Sequence, residues 1–273
     1  MCLTGIKDSA HSNSHLVLAV SELRGVATAL SLYGFLNSLG SSASWRRVFD
    51  SDYPVSPPPG RVSVVVPGWC EPPWLLWTSL SSLRSQRVVA EYPSLFEYIF
   101  VGCTGVDLDI PRSLGYRILC APRGKLNARH LGTLHSTGDI IVAADADSYY
   151  PPNWLTLLLE PFSDPGVVAT TTPTWQGWLE PAVYYLKLLV YANKMSGRGS
   201  AYRREAYFKT GGFNLAVDQS NIRELQLEEE ILFHRRLTEA GRVVYVDAPV
   251  IHLGGAARRG LRAYPRGKRT YAH

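Results

Sequence analysis

The 273-residue sequence has few of the residues that build metal fingers or disulfide frameworks. Its four cysteines lack metal-finger spacing, and no cleavable signal sequence is recognisable before them. This scarcity argues against a disulfide-rich secreted domain, and a reducing cytosol is the expected compartment. Internal repeats and low-complexity segments are also lacking, which argues against repeat architectures.

Long hydrophobic runs are missing as well. The one candidate for a membrane span, Gly25 to Gly40, is uncharged but only 16 residues long, whereas a span needs about 20 apolar residues. We therefore expect a helix, at about residues 15–39, that packs on the domain or lies on a membrane surface. The Ser-rich and Pro-rich stretch 41–60 indicates a linker, so residues 1–60 form the predicted N-terminal helical extension.

Acidic residues are absent from the C-terminal end, since none follows Asp247. Without the six basic residues found there, the formal net charge falls from +5 to −1. They are Arg258, Arg259, Arg262, Arg266, Lys268 and Arg269. A basic tail over residues 256–273 is either solvated or binds an anionic surface such as a membrane. Because the charge forms no broad patch, nucleic acid is not an expected partner.

A regular pattern of alternating strands and helices begins at Arg61. Short β-branched or apolar runs predict strands at 62–66, 98–101, 116–119, 140–143, 167–171 and 243–246. Helical periodicity falls between most of them, at 74–86, 126–136, 153–162, 182–194 and 224–240. This alternation predicts a mostly parallel α/β sheet over residues 61–255, with ligands at the carboxyl ends of its strands.

Two carboxylates follow the most apolar of these strands. Asp145 and Asp147 are separated by one residue, so both side chains can point toward one ligand at the end of the strand. Paired carboxylates at such a position hold Mg²⁺ or Mn²⁺ against a diphosphate. A polar turn after a strand is the structural alternative, because Asp is favoured in turns.

A cationic helix start precedes this strand. Arg123, Lys125 and Arg129 surround it together with Gly124, and a helix N-terminus with nearby cations attracts phosphate. A solvated amphipathic helix is the alternative. The two neighbouring segments together favour binding of a nucleotide diphosphate.

The order of these and later segments resembles glycosyltransferase family 2 over about Arg61 to His252. The matching segments are Val62 to Pro67, the Arg-Gly-Lys-x-x-Ala-Arg helix, Gly138-Asp139 before Asp145-Ala-Asp147, Ser196 to Ala206 with Gly211-Gly212-Phe213, and Glu228-Glu229-Glu230 before an Arg-Leu helix. The resemblance implies a GT-A-type Rossmann-like sandwich with a mostly parallel central sheet.

The resemblance also implies roles for individual residues. The catalytic base would be Glu230, with Glu229 beside it and Glu228 as possible substitutes, although acids at a helix start can be merely structural. His252 would be a third metal ligand with Asp145 and Asp147, unless it is structural. Donor contacts are expected from Pro67, Glu71, Arg123, Lys125, Arg129, Asp145 and Asp147, and acceptor contacts from Trp175, Trp178 and Ser200.

The sequence departs from the family pattern at two places. An acceptor-side Asn that the family often has near Cys70 is missing, and Gly102 to Gly105 replaces the acidic pair that helps to hold the nucleotide base. Asp107 or Asp109 could take over that contact. The base of the donor is therefore left open.

These features predict a metal-dependent, inverting glycosyltransferase that uses Mn²⁺ or Mg²⁺. The donor would be a UDP- or GDP-sugar, and the acceptor a glycan, lipid or protein. The expected location is the cytoplasm, with peripheral membrane contact as an option. One alternative is a nucleotidyltransferase that makes nucleotide sugars, but it requires a Gly-rich loop after the first strand, where the sequence has only Gly68. The other is a non-catalytic protein that binds membranes or polyanions.

Overall fold

The computed structural model describes residues 43–102, 106–121, 124–175, 195–219 and 223–254. The predicted N-terminal helix, the candidate span, the predicted helix before Ser196 and the basic tail lie outside these ranges. Within the described ranges, no helix combines the length and apolar character needed to cross a membrane.

Ten strands are described, in two sheets. They are β1 (Val62–Pro67), β2 (Phe96–Val101), β3 (Arg117–Leu119), β4 (Ile140–Ala144), β5 (Ser148–Tyr149), β6 (Val167–Thr171), β7 (Thr174–Trp175), β8 (Gly199–Arg203), β9 (Arg242–Tyr245) and β10 (Val250–His252).

The main sheet has seven strands in the order β3-β2-β1-β4-β8-β6-β9. Only β8 is antiparallel to its neighbours, β4 and β6, and the other adjacent pairs are parallel. The predicted mostly parallel α/β sheet is thereby confirmed. The chain leaves β1 toward β2 on one side and returns to β4 on the other, so the carboxyl ends of β1 and β4 form the crevice in which such sheets bind ligands.

Helices cover the described part of the sheet. They are α1 (Ala43–Phe49), α2 (Pro73–Arg84), α3 (Arg87–Glu91), α4 (Asp109–Ser113), α5 (Lys125–Leu134), α6 (Trp154–Leu159), α7 (Arg204–Lys209), α8 (Ala216–Gln219) and α9 (Arg223–Ala240), with 3₁₀ turns at Pro93–Leu95 and Glu160–Ser163. Helix α2 begins after Pro72 with Pro73 in its first turn, where proline costs no hydrogen bond.

The core consists of two hydrophobic clusters, separated by the alternation of side chains along the strands. Val62, Val64 and Val66 of β1 pack with α2 and α6, whereas Val65 packs in the cluster that includes residues of α5 and α9. Strands buried on both faces explain the continuous apolar runs from which the sequence predicted them. The sheet is therefore a rigid support for the loops at its carboxyl edge.

A second sheet of three short strands, in the order β5-β10-β7, lies beside that edge. Strand β10 is antiparallel to β5, with His252 opposite Ser148, and parallel to β7. These strands of two or three residues were not predicted. They bring the end of β10 next to the turn that follows β4.

Most of the predicted linker, residues 43–60, packs on the domain. Val48 is fully buried in the core, and the side-chain amide of Asn153 donates to the carbonyl oxygens of Arg47 and Asp50 at 2.8 and 2.6 Å. The guanidinium of Arg87 donates to the carbonyl oxygen of Tyr53 at 2.7 Å. The boundary between extension and domain, predicted at residue 60, stays a prediction.

Candidate active site

Asp145 is the centre of a buried charge cluster at the end of β4. Its carboxylate lies 2.9 Å from Nζ of Lys125, 2.5 Å from Nη2 of Arg129 and 3.4 Å from Nε of Arg198. Burial alone would raise the pKa of Asp145, but these three cations outweigh it and hold the pKa well below its usual range. Asp145 is therefore ionised, and its oxygens are occupied by the cations of the protein.

Asp147 faces a different partner. Its Oδ1 atom lies 3.4 Å from Nδ1 of His252, and the backbone carbonyl of Asp147 accepts hydrogen bonds from the amides of Leu253 and Gly254 at 2.9 and 3.2 Å. Burial raises the pKa of Asp147, but the contact with His252 lowers it, and the net direction is downward. The small sheet thus fixes His252 against the second aspartate.

The arrangement of Asp147 and His252 fits a divalent cation. Nδ1 of His252 is buried without a well-formed hydrogen bond, although it faces a carboxylate oxygen. A Cβ atom on Gly254 would lie 2.7 Å from Oδ2 of Asp147 and 2.7 Å from Cε1 of His252, so only glycine leaves this cradle open. Carboxylate oxygens suit Mn²⁺, and neutral imidazole is a common ligand of metal ions.

The predicted set of three metal ligands is not assembled. Among the residues that the structure describes, no three His, Cys, Asp or Glu side chains form a metal-binding group. The reason is that Asp145 turns its oxygens to Lys125 and Arg129, leaving Asp147 and His252 as the pair that fits an ion.

Glu71 lies on the loop after β1, at the facing side of the crevice. Burial raises the pKa of Glu71 to about 7, and the carboxylates of Asp147 and Asp145 contribute to the same shift. Its Oε2 atom accepts a hydrogen bond from the amide of Trp69 at 2.5 Å. Glu71, which the sequence predicted as a donor contact, therefore shares the electrostatic environment of the two aspartates.

The backbone and side chain of Cys70, the residue before Glu71, constrain the loop. Cys70 has a φ of 37°, in the left-handed region that non-glycine residues rarely occupy. Both Cys70 and Cys120 are disulfide-bonded, which the sequence did not predict. Because disulfides persist mainly in oxidising compartments, these cysteines do not support the expected reducing cytosol, and that location stays a prediction.

The three consecutive glutamates of α9 differ in surroundings. Glu229 is 1% exposed, and its Oε1 atom accepts from the amide of Asn214 at 2.8 Å and from Nη2 of Arg236 at 2.6 Å. Glu230 instead points toward Arg129, with Oε1 3.9 Å from Nη1. Glu228 is exposed. Only Glu230 is directed at the cluster around Asp145.

Arg129 is the residue that links these groups. Its guanidinium is 1% exposed, and it contacts Asp145, Glu230 and the carbonyl oxygen of Gly197. Lys125, at the first turn of α5, has a lowered pKa because of burial and the nearby Arg129. The cationic helix start predicted from the sequence is therefore part of the site, although Arg129 binds protein groups rather than facing a ligand.

The other residues predicted to contact the donor or the acceptor do not belong to the charge cluster around Asp145. Ser200 is 2% exposed within β8, paired with Ala143 of β4 and Thr171 of β6, so its position does not favour an acceptor contact. Pro67 ends β1 opposite Val101. The backbone of Trp175 ends β7, whereas Arg123 and Trp178 lie outside the described residues.

Two residues of the site were not predicted. Arg198 lies in the Gly-Arg-Gly sequence of the segment Ser196 to Ala206, which was matched to the family. A cation between two glycines was the feature from which its role could have been predicted. The backbone N–H of Asp145 donates to the hydroxyl oxygen of Tyr150 at 2.7 Å, and that hydroxyl lies 3.1 Å from the carbonyl oxygens of Asp145 and Arg198. Tyr150 carried no motif, and only the fold reveals its role.

Three solved structures with the same fold are distant in sequence. A mannosyltransferase, PcManGT from Pyrobaculum calidifontis, in complex with GDP-Man and Mn²⁺, is 22% identical, with a TM-score of 0.58 over 91% of this chain and 77% of that one. GalNAc-T7 with UDP, GalNAc and Mn²⁺ is 17% identical, with a TM-score of 0.55 over 70% and 43% of the two chains.

A third structure is glucosyl-3-phosphoglycerate synthase from Mycobacterium tuberculosis with Mn²⁺, UDP and phosphoglyceric acid. It is 19% identical, with a TM-score of 0.50 over 71% of each chain. No curated protein matches the chain in sequence. At these identities the similarity establishes the fold, which is of the GT-A type.

A family model provides the sequence-level comparison. Residues 112–215 match the family described as Glycosyl transferase family 2. The fold and this match together define an enzyme of the glycosyltransferase type. The resemblance to glycosyltransferase family 2 drawn from the motifs is thereby confirmed. The matched range includes Asp145, Asp147 and Arg198 but ends before Glu230 and His252.

Proposed function

We propose that the protein is a metal-dependent, inverting glycosyltransferase that moves a sugar from a nucleoside-diphosphate donor to an acceptor hydroxyl. One observation carries the proposal: buried Arg129 contacts Asp145 at 2.5 Å and Glu230 at 3.9 Å. The aspartates after β4 and the glutamate of α9 therefore belong to one cluster, although they lie far apart in sequence.

On the donor side, Asp147 and His252 would hold Mn²⁺ or Mg²⁺. A bound divalent cation supplies charge neutralisation for the departing nucleoside diphosphate. Lys125 adds a cation at the first turn of α5, where a helix N-terminus favours phosphate. Asp145 would hold Lys125 and Arg129 in position, and the ion would be left to Asp147 and His252.

On the acceptor side, Glu230 would act as the general base. The acceptor hydroxyl transfers its proton to the carboxylate while its oxygen forms the bond to the anomeric carbon. The bond from that carbon to the diphosphate oxygen breaks on the opposite face, and the diphosphate leaves with the electron pair. A single displacement of this kind inverts the anomeric centre. The pairing of Glu229 with Arg236 favours Glu230 over Glu229 as the base.

For the donor, we propose a UDP- or GDP-sugar, because the structural relatives were crystallised with GDP-Man or UDP. The acceptor would be a glycan, lipid or protein. Glu71, on the loop after β1, would contact the donor from the other side of the crevice.

The test is release of nucleoside diphosphate from UDP- and GDP-sugars in the presence of Mn²⁺. The variants are Asp147→Asn and Glu230→Gln, with Glu228→Gln as the matched control, because Glu228 is the exposed member of the same acidic run. We expect the control to match the wild type, and Glu230→Gln to lose at least about a hundredfold in rate, as typical general-base effects suggest. Asp147→Asn should lose at least about tenfold, because even the outer-shell partners of metal ligands contribute that much.

Two outcomes would contradict the proposal. Equal turnover in all four proteins would remove the assigned residues from the reaction. Full activity after exhaustive chelation of divalent cations would remove the metal dependence. Product anomeric configuration, followed by NMR with any donor that reacts, would test inversion separately.

We also propose peripheral contact with an anionic membrane surface through the basic residues after Gly255. Its support is compositional, because six cations and no acid occur in the range 256–273. Flotation with anionic and neutral vesicles tests this contact. Binding to anionic vesicles that is unchanged after truncation following Gly255 would contradict it.

A further inference from the structure

Arg198 lies between the two aspartates of the site. Its Nε atom is 3.4 Å from Oδ2 of Asp145 and 3.8 Å from Oδ1 of Asp147. The same nitrogen is buried and forms no well-made hydrogen bond. The guanidinium therefore neutralises both carboxylates without being tightly bonded to either one.

Asp145 does not depend on Arg198 for its neutralisation. Lys125 at 2.9 Å and Arg129 at 2.5 Å are both closer to it, and Arg129 is 1% exposed. If the Arg198 side chain moved away, Asp145 would still have two cationic partners. Asp147 would keep the contact with Nδ1 of His252 at 3.4 Å.

The backbone around Arg198 is held in place. The carbonyl of Gly197 accepts from Arg129, that of Arg198 from the hydroxyl of Tyr150 at 3.1 Å, and that of Gly199 from the amide of Thr172 at 2.7 Å. A movement of Arg198 must therefore occur by rotation of its side chain, which is 25% exposed.

Arg198 places a positive charge beside Asp147, where a bound divalent cation would also place one. Arg198 and an ion held by Asp147 and His252 would both lie against the carboxylate of Asp147, and two cations there repel each other. A donor diphosphate relieves this repulsion because it supplies negative charge. Guanidinium groups bind phosphate oxygens in bidentate geometry.

We propose that Arg198 is a placeholder cation that becomes a diphosphate ligand. Without ligands it occupies the ion side of Asp147, and when the cation and the donor bind together it turns to the diphosphate. This inference rests on the proposed function. It predicts that metal and nucleoside diphosphate strengthen each other's binding, and that removal of Arg198 weakens this coupling.

The experiment measures Mn²⁺ binding by electron paramagnetic resonance of the free ion, without nucleotide and with UDP or GDP. Arg198→Met removes the guanidinium and keeps an unbranched side chain. Arg242→Met is the matched control, since Arg242 pairs with Asp164 at the exposed end of β9 and its loss changes the net charge equally. Asp147→Asn serves to identify the ion site.

In the absence of nucleotide, we expect Arg198→Met to bind Mn²⁺ at least about fivefold more tightly than the wild type, the low end of typical coupling between two sites. The gain in Mn²⁺ affinity on adding UDP or GDP should shrink by a similar factor. Arg242→Met should behave as the wild type, and Asp147→Asn should lose binding.

The possible failures are distinguishable. If the wild type binds Mn²⁺ with a nucleoside diphosphate through Asp147, but Arg198→Met leaves the nucleotide-free Mn²⁺ affinity unchanged or lower, the placeholder inference is overturned and the proposed function stands. If the wild type binds no Mn²⁺ with either nucleotide, both are overturned.

Discussion

Nδ1 of His252 lies 3.4 Å from Oδ1 of Asp147, and backbone hydrogen bonds join the same two stretches of chain. The amide of Leu253 donates to the carbonyl of Asp147 at 2.9 Å. Because these backbone hydrogen bonds hold both stretches in place, the approach of the two side chains does not require a bound ion. The fold thus preorganises two ligands of different chemistry on opposite sides of one small cradle.

From this pairing we predict that His252→Ala weakens Mn²⁺ binding in the presence of a nucleoside diphosphate. The loss should be at least about tenfold, because even the outer-shell partners of metal ligands contribute that much. Isothermal titration calorimetry of Mn²⁺, in the presence of the nucleoside diphosphate that the wild type binds, measures this loss of affinity. His135→Ala is the control, since His135 is exposed at the end of α5. Equal affinities for the two variants would contradict a ligand role for His252.

Substitutions of Glu229 and Glu230 should affect different properties: Glu229→Gln should lower stability, and Glu230→Gln should lower activity. Glu229→Gln removes a charge that is 1% exposed and paired with Arg236 at 2.6 Å, so we expect a loss of about 1–3 kcal/mol in the free energy of unfolding. Glu230→Gln should cost less stability than Glu229→Gln, because the Glu230 side chain is 17% exposed, against 1% for Glu229.

Urea denaturation of both variants, together with the rate of nucleoside diphosphate release, measures this difference. Glu230→Gln should be folded and inactive, whereas Glu229→Gln should be less stable but active under strongly stabilising conditions. The reverse pattern, in which Glu229→Gln is stable and inactive, would transfer the role of base to Glu229.

The separation of these glutamates shows what the sequence could not provide. Three consecutive acids on one helix are equivalent in the linear sequence, but successive helical residues point in different directions. Only the packing of α9 decides which acid meets Arg236 and which meets Arg129. The helix itself, predicted at 224–240 and observed at Arg223–Ala240, was easy to predict because it is long, rich in helix-forming residues and free of glycine and proline.

Strands were predicted where burial gives a clear pattern. The apolar runs at Val62 and Ile140 gave β1 and β4 to within one residue of their ends. Strand β8 was missed because Gly199, Ser200 and Ala201 are small and lack strand preference, and its antiparallel insertion between β4 and β6 depends on chain far away in sequence. The three short strands of the second sheet are too brief to show any period.

The two aspartates should also differ in their effect on stability. Asp145→Asn leaves Arg129, which is 1% exposed, without its carboxylate at 2.5 Å, and we expect a loss of about 3 kcal/mol or more. Asp147→Asn should cost much less, because its ionic contacts are 3.4 Å or longer. Urea denaturation at neutral pH compares the two, and a larger loss for Asp147→Asn would refute the structural role of Asp145.

Glu71 should make stability depend on pH in the direction opposite to that of an ordinary ion-paired acid. Its pKa rises from 4.5 to about 7 on folding, so the folded state binds the proton more tightly than the unfolded state. The free energy of unfolding should therefore decrease as the pH rises from 4.5 to about 7, and this contribution should be constant above that range.

Glu71→Gln should remove this contribution, so that the variant gains stability relative to the wild type as the pH rises through the same interval. Urea unfolding of both proteins at several pH values measures the difference, which cancels the titration of all other groups. Glu91→Gln is the control, because Glu91 is exposed at the end of α3 and its difference from the wild type should stay flat. A flat difference for Glu71→Gln as well would mean that burial does not raise the pKa of Glu71 in the folded protein.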